Sequence, residues 1–229
     1  MTRSIPRRTI DTNMSLALRD FLGVGTRTDG YRLVLPHFRG SGAIDSDGSE
    51  PPLVYRGPMF AERDARAAFH IRTLLEDVVD PNRIAIEPAD QSHRVVDGPA
   101  FLFGSRSNVV ALESLRRQPY PLVDFEFGQN WTIRCGGMAF SMADPSTTDR
   151  VAYEAATDYG VVARLENGAK GPLFLIAGLG GRATEASAYY LLKNWSMLAQ
   201  KFGERPFALV LEFPAPFDRN RVNKVAEAF

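Results

Sequence analysis

Apolar residues along this chain fall into short unbroken runs, separated by segments whose apolar positions recur every three to four residues. Runs bounded by Gly, Pro and polar residues read as buried strands, and segments with a 3.6-residue period read as helices. Tyr31–Phe38 (YRLVLPHF) predicts the first strand, Arg83–Glu87 and Pro99–Gly104 two short ones, residues 172–177 a fourth and Pro206–Phe213 the last. Over residues 61–79, Ala65, Ala68, Ile71, Leu75, Val78 and Val79 share one face, which predicts a helix that Asp80-Pro81 ends. Residues 107–117 predict a short helix. Residues 184–202 predict a long one, with an apolar stripe of Ala188, Leu191, Leu192, Trp195, Leu198, Ala199 and Phe202. Within 119–165, FEFGQNWTIRC and VAYEAATDYGVVARL read as strands separated by turns, and Asn167-Gly168 as the turn into the strand 172–177.

Strands alternating with helices predict the α/β class, as a three-layer Rossmann-like fold with a mainly parallel sheet. Residues 119–165 are expected to add antiparallel strands at one edge. The expected organisation is an N-terminal arm and lead-in over 1–30, a single domain over 31–213 and a C-terminal tail over 214–229. The segment 39–58, rich in Gly, Ser, Asp and Pro, is long for a loop in a compact domain, which marks it as functional or disordered. Ligands of open α/β sheets bind beyond the carboxyl ends of strands, at a topological switch point. Three segments are expected to meet there: Pro36–Arg39, Gly104–Asn108 and Gly178–Thr184.

Composition removes several classes of function. With 45% hydrophobic and 24% charged residues, the chain is ordinary for a globular protein. Its 27 basic and 27 acidic residues cancel, so no overall field draws it to nucleic acid or to an anionic membrane, and neither is expected as a partner. Only Lys170, Lys193, Lys201 and Lys224 are lysines, the other basic residues being Arg. That bias fits a GC-rich genome as well as anion recognition. The single cysteine, Cys135, precludes an intrachain disulfide and cysteine-based zinc sites, and His37, His70 and His93 lack metal-ligand spacing, so no metal is expected. No apolar run approaches the roughly 18 residues of a membrane span. The first fifteen residues carry Arg3, Arg7 and Arg8 without an apolar leader core, so a soluble, cytoplasmic protein is expected.

The strongest candidate chemistry lies in LFLIAGLGGRATEAS, residues 173–187. Gly178-Leu179-Gly180-Gly181-Arg182-Ala183 fits the G-x-G-x-x-G/A pattern, in which glycines let backbone N–H groups approach a phosphate at a helix N-terminus. Arg182 is then the charged contact and Thr184 the N-cap. The alternative is a tight packing turn with no ligand. Glu212, the first acidic residue placed to hold a ribose, lies 29 residues past Ala183. The unit is also the last strand–helix–strand of the chain, which argues against a standard NAD-dependent dehydrogenase. The absence of Lys-Ser/Thr after the glycines argues against a P-loop.

A second constellation is FLFGSRSNVVALESL, residues 101–115. On a helical wheel Val109, Val110, Leu112 and Leu115 define an apolar arc, and Glu113 falls inside it. A carboxylate there needs a partner, and Arg116 on the same arc supplies one in the structural reading. Strand, Ser107, then a helix with Glu113 six residues later resembles the catalytic segment of Toll/interleukin-receptor-like and nucleoside-deoxyribosyltransferase-like domains. That resemblance implies N-glycosidic cleavage at the ribose of NAD or a nucleoside, with Glu113 and Ser107 as catalytic residues. More broadly, the chain resembles Rossmann-like sensor and effector modules of bacterial nucleotide signalling and antiviral defence.

Three functions follow as expectations. The first is a nucleotide- or nucleotide-derivative-binding regulatory module, with NAD or another nucleotide as ligand or substrate. Its contacts would be His37, Arg39, Ser105, Arg106, Asn108, Gly178, Gly180, Gly181, Arg182 and Thr184. The second is the N-glycosidase using Glu113. The third is an assembly subunit, a homo-oligomer or partner of another protein through Tyr189, Tyr190 and Met197, which lie off the apolar stripe of helix 184–202. For those residues the alternative is cover by the chain's own tail or loops.

Overall fold

The computed structural model describes residues 12–24, 30–39, 58–89 and 98–229. In chain order they form α1 (Thr12–Leu22), β1 (Tyr31–Leu35), β2 (His37–Arg39), β3 (Pro58–Phe60), α2 (Glu62–Leu75), β4 (Ile84–Pro88), β5 (Ala100–Phe103) and α3 (Val109–Arg116). These are followed by β6 (Val123–Phe127), β7 (Asn130–Cys135), β8 (Met138–Ala143), α4 (Arg150–Ala155), β9 (Asp158–Leu165), β10 (Leu173–Gly178), α5 (Gly181–Phe202), β11 (Phe207–Phe213) and β12 (Asn223–Ala228). The segments 1–11, 25–29, 40–57 and 90–97 lie outside the described residues, and with them the expected arm, most of the polar segment 39–58, and His93.

Seven strands make one sheet in the order β12-β11-β9-β10-β5-β1-β4. β4, β1, β5 and β10 pair in parallel. β9 runs antiparallel between β10 and β11, and β12 is antiparallel to β11. Five of the seven strands therefore share one direction, and the fold is α/β. β6, β7 and β8 form a separate antiparallel sheet, and β2 pairs with β3 alone.

Strand residues alternate between two cores because successive side chains leave opposite faces of a sheet. Leu33, Leu35, Phe101, Phe103, Phe174, Ile176, Leu209 and Leu211 share one core with α1, α2 and α5. Val34, Leu102, Leu175, Ala177, Ala208 and Val210 share the other with α3 and the small sheet. Apolar cover on both faces explains why these strands read as continuous hydrophobic runs. Among the described residues no helix is long and apolar enough to cross a membrane.

Several elements depart from the sequence pattern. The strand expected over 31–38 stops at Leu35, because Pro36 has no N–H to donate, and His37–Arg39 turns aside to pair with Pro58–Phe60. Residues 150–155 are a helix, not a strand; the Asp149 side chain starts it by accepting from the amides of Val151 and Ala152 at 2.9 and 3.0 Å. β9 sits inside the large sheet rather than at its edge. Residues 223–228, expected in a tail, form the edge strand β12. Residues 12–22, expected as lead-in, are a helix tied down at its end. Tyr31 donates its hydroxyl to the Leu22 carbonyl, and the buried Arg164 guanidinium donates to the carbonyls of Phe21 (3.0 Å) and Gly203 (2.9 Å). One buried cation thus closes the C-terminal ends of both α1 and α5.

The β10–α5 corner requires glycine for packing. A Cβ on Gly178 would lie 2.5 Å from the Gly180 carbonyl oxygen and 2.6 Å from the Thr184 nitrogen, both backbone atoms that cannot move aside independently. At Gly181 a Cβ would meet the flexible Arg63 side chain at 3.3 Å. Gly178→Ala is therefore expected to cost about 3 kcal/mol of stability in chemical denaturation, and Gly181→Ala less than about 1 kcal/mol.

Candidate functional site

Because β10, β5 and β1 are neighbours running in parallel, their carboxyl ends form one rim. The segments 36–39, 104–108 and 178–184 all leave from it, as the sequence pattern predicts. The loops are in contact. Gly104, at φ 78°, approaches Pro36 so closely that a Cβ would lie 3.3 Å from its Cγ. Ser105 Oγ donates to the Gly178 carbonyl at 3.0 Å. Asn108, with no exposed surface, donates to the carbonyls of Val34 (3.1 Å) and Phe103 (2.8 Å) and accepts from the Ala111 amide at 3.0 Å. It caps α3 and pins two strand ends, so its polar atoms hold the scaffold rather than reach for a ligand.

At the glycine turn a carboxylate of the chain itself engages two of the amides. Asp158, the first residue of β9 and fully buried, places its carboxylate against the start of α5. Oδ1 accepts from the Gly180 amide at 3.0 Å and the Tyr159 amide at 2.9 Å, and Oδ2 from the Ala183 amide at 3.3 Å. Of these, the Gly180 and Ala183 amides are two of the donors, on the positive end of the helix dipole, that a phosphate at this turn would use. Burial pushes the Asp158 carboxyl up from its ordinary value, while the three amides and the Arg182 charge pull the other way. A Cβ on Gly180 would fall 2.5 Å from Asp158 Oδ2, so glycine here makes room for the chain's own carboxylate.

Arg182 turns inward as well. Its guanidinium donates to the carbonyls of Tyr153 (2.6 Å), Glu154 (3.2 Å) and Ala156 (3.3 Å), lies 4.0 Å from the Tyr153 ring centroid, and has Nε 3.8 Å from Asp158 Oδ2. It closes the end of α4 and neutralises Asp158, where the sequence suggested a contact to ligand phosphate. The N-cap of α5 is Gly180, not Thr184, which sits buried in the first turn with its hydroxyl 3.5 Å from the Gly180 carbonyl.

The other sequence candidates scatter. Glu113 leaves the buried side of α3, which is Val110, Ala111, Ser114 and Leu115. It is 35% exposed and pairs with Arg117 at 3.5 Å, one turn on, instead of Arg116. Ser107 is exposed. Arg106 leans toward the small sheet, 5.2 Å from the Trp131 ring centroid and 3.9 Å from Asp144. His37 is half-buried, and its Nδ1 has no hydrogen-bond partner among the described residues. Of Arg39 only the backbone is described, opposite Pro58. Cys135 is a buried thiol whose pKa burial raises to about 11, which makes it a poor nucleophile. Among the described residues no group of His, Cys, Asp and Glu could hold a metal ion.

Asp64 is the rim residue that the sequence pattern missed. It lies in the first turn of α2, on the side that also buries Ala67, Ala68 and Ile71. The residue is 7% exposed, and among the described residues no donor reaches its carboxylate. Oδ1 lies 3.8 Å from where a Cβ of Gly104 would stand, which puts it against the carboxyl end of β5. Burial raises its pKa to about 6. The sequence did carry a signal: the search for a carboxylate on an apolar face that singled out Glu113 also selects Asp64 when applied to residues 61–79.

Beside the rim, Arg63 binds the buried Glu185 at 2.5 Å and Arg219 approaches the same carboxylate at 3.8 Å. A 410 Å³ groove runs along this cluster, with Glu185 and Arg219 in its wall beside Glu62, Arg66, Phe69 and His70. Desolvation lowers the His70 pKa, and its ring packs edge-on to Tyr189 at 5.4 Å. Arg219 covers the other approach to Tyr189, 4.5 Å from its centroid. Tyr190 packs onto the helical core, and Met197 is 48% exposed. The two tyrosines are thus engaged by the chain itself.

Comparison with known proteins adds no assignment: no protein-family model, curated protein or solved structure matches this chain.

Two stability measurements test these assignments. Asp158→Ala strands the buried Gly180 and Ala183 amides and removes the counter-charge of Arg182, and is expected to cost about 3–5 kcal/mol in chemical denaturation. Asp64 acts in the opposite sense. Its folded pKa lies above the unfolded value, so the native state holds the extra proton and loses stability as pH rises from about 4 to about 6. Asp64→Asn removes that loss. The variant is expected to match the parent near pH 4 and to exceed it by at most about 2–3 kcal/mol at pH 7.

Proposed function

We propose that this chain is a Rossmann-like binding domain, in a three-layer arrangement, that takes a nucleotide or nucleotide derivative at the rim formed by the carboxyl ends of β1, β5 and β10. The observation that carries the reading is Asp64. A desolvated carboxylate without an internal donor is costly to keep, and such groups concentrate where a ligand supplies the missing partner. Its location supports the same reading. β1 leads to β4 on one side, while β5 lies on the other, so the chain reverses its direction of progress across the sheet beside β1. Switch points of this kind are where open α/β sheets bind small ligands.

The regulatory reading is favoured over catalysis by Glu113, whose only described charged contact is Arg117 on the same helix. Self-association has less support, because Tyr189 and Tyr190 are packed against the chain's own residues.

Calorimetry and thermal shift with NAD, ATP and cyclic nucleotides test the proposal. At least one is expected to bind and to raise the melting temperature. A folded protein that binds none of them would overturn it.

A further inference from the structure

We infer that the groove on the outer face of α2 is a second small-molecule site, which takes an aromatic carboxylate with its acid group on Arg219 and its ring on Phe69. The site is separate from the rim, and its ligand class does not depend on the function proposed there.

Helical spacing builds one wall. Glu62, Ala65, Arg66, Phe69 and His70 recur at three- and four-residue intervals, on the side of α2 away from Asp64, Ala67, Ala68 and Ile71. Glu185 of α5 and Arg219, from the connection between β11 and β12, complete the groove. Its 410 Å³ lies within the range of small-ligand pockets. Phe69 is 67% exposed, so its ring is left uncovered along this wall. A flat ring suits that surface, because aromatic pairs gain attraction beyond the area they bury.

Charge decides the sign of the ligand. The acids of the groove are already matched: Arg66 binds Glu62 at 2.6 Å and Arg63 binds Glu185 at 2.5 Å. Desolvation lowers the His70 pKa, which keeps the imidazole neutral at neutral pH. Arg219 is different. It lies 3.8 Å from Glu185, beyond hydrogen-bond reach, and donates no hydrogen bond among the described residues. Asp218, its neighbour in the chain, is taken up by Asn220, accepting from the backbone amide at 2.9 Å and the side-chain amide at 3.0 Å.

Arg219 is nevertheless held in place, 4.5 Å from the centroid of the Tyr189 ring. Lys193 lies 5.5 Å from the same ring and adds positive charge. A guanidinium seated on an aromatic ring keeps N–H groups free for a bidentate carboxylate. A cationic ligand would find Glu62 held by Arg66, and Glu185 flanked by Arg63 and Arg219.

Calorimetry on the full chain with phenylacetate and indole-3-acetate, each beside its neutral amide, and with acetate and phenethylamine tests the inference. At least one aromatic acid is expected to bind about tenfold or more tighter than its amide and than acetate, and phenethylamine is expected not to bind. Arg219→Gln is an exposed substitution that leaves the Arg63–Glu185 pair in place, so the melting temperature should hold. It should weaken that acid about tenfold or more. Phe69→Ala should weaken it about threefold or more. Equal binding of acid and amide, preference for phenethylamine, or unchanged affinity in Arg219→Gln would each overturn the inference. So would a folded protein that binds neither aromatic acid at about 5 mM. None of these probes carries a ribose, a nucleobase or a phosphate, so their failure leaves the nucleotide-binding function at the rim standing.

Discussion

The β9–β10–α5 corner depends on one buried contact, the Asp158 carboxylate seated on the first amides of α5 with Arg182 beside it. A helix of 22 residues begins here, and the buried amides of Gly180 and Ala183 at its start need partners that water cannot supply. Asp158 provides them from the neighbouring strand. The same contact explains the glycines. Gly178 allows the chain to turn within van der Waals distance of its own backbone, Gly180 clears space for the carboxylate and for Tyr153, and Gly160 lets β9 lie under α5 close to Ser187 and Ala183. Arg182 extends the cluster to α4, tying the segment between the small sheet and β9 to the same corner.

This internal anion redirects the search for function. A glycine-rich turn between strand and helix ordinarily points to an external phosphate, and here the chain answers the electrostatic demand itself. Two other groups at the same end of the sheet lack a described partner: His37 Nδ1, and Asp64, an acceptor without a described donor. Two carboxylates on one rim thus play different parts. One is fully engaged and holds the architecture together, and the other keeps unused hydrogen-bonding capacity.

Much of the framework was legible in the sequence, for identifiable reasons. Strands covered on both faces must be continuously apolar, which exposed β1, β5, β10 and β11. Helices covered on one face must repeat at 3.6 residues, which exposed α2 and α5. Elements whose stability is mostly tertiary were harder to see. α1 is short and gains its hold from Tyr31 and Arg164, residues far along the chain. β12 alternates weakly and pairs through a register shift at Val210/Leu211. The segment AYEAA is rich in the helix formers Ala and Glu, and its Asp149 cap starts the helix where a strand was expected. At the rim, the polarity of the strands correctly brought three loops together. The occupant of the glycine turn was not legible, since nothing local distinguishes Asp158 from any aspartate before a strand. Asp64 was missed, although its place on the buried face of α2 carries a signal in the sequence.

The most direct measurement is a backbone amide NMR titration with the tightest nucleoside or nucleotide ligand. The account predicts chemical-shift changes at Asp64, Gly104 and Ser105, with the Gly180 and Ala183 amides unmoved because Asp158 retains them. Large shifts at Gly180 and Ala183, with Asp64 and Gly104 unaffected, would contradict it.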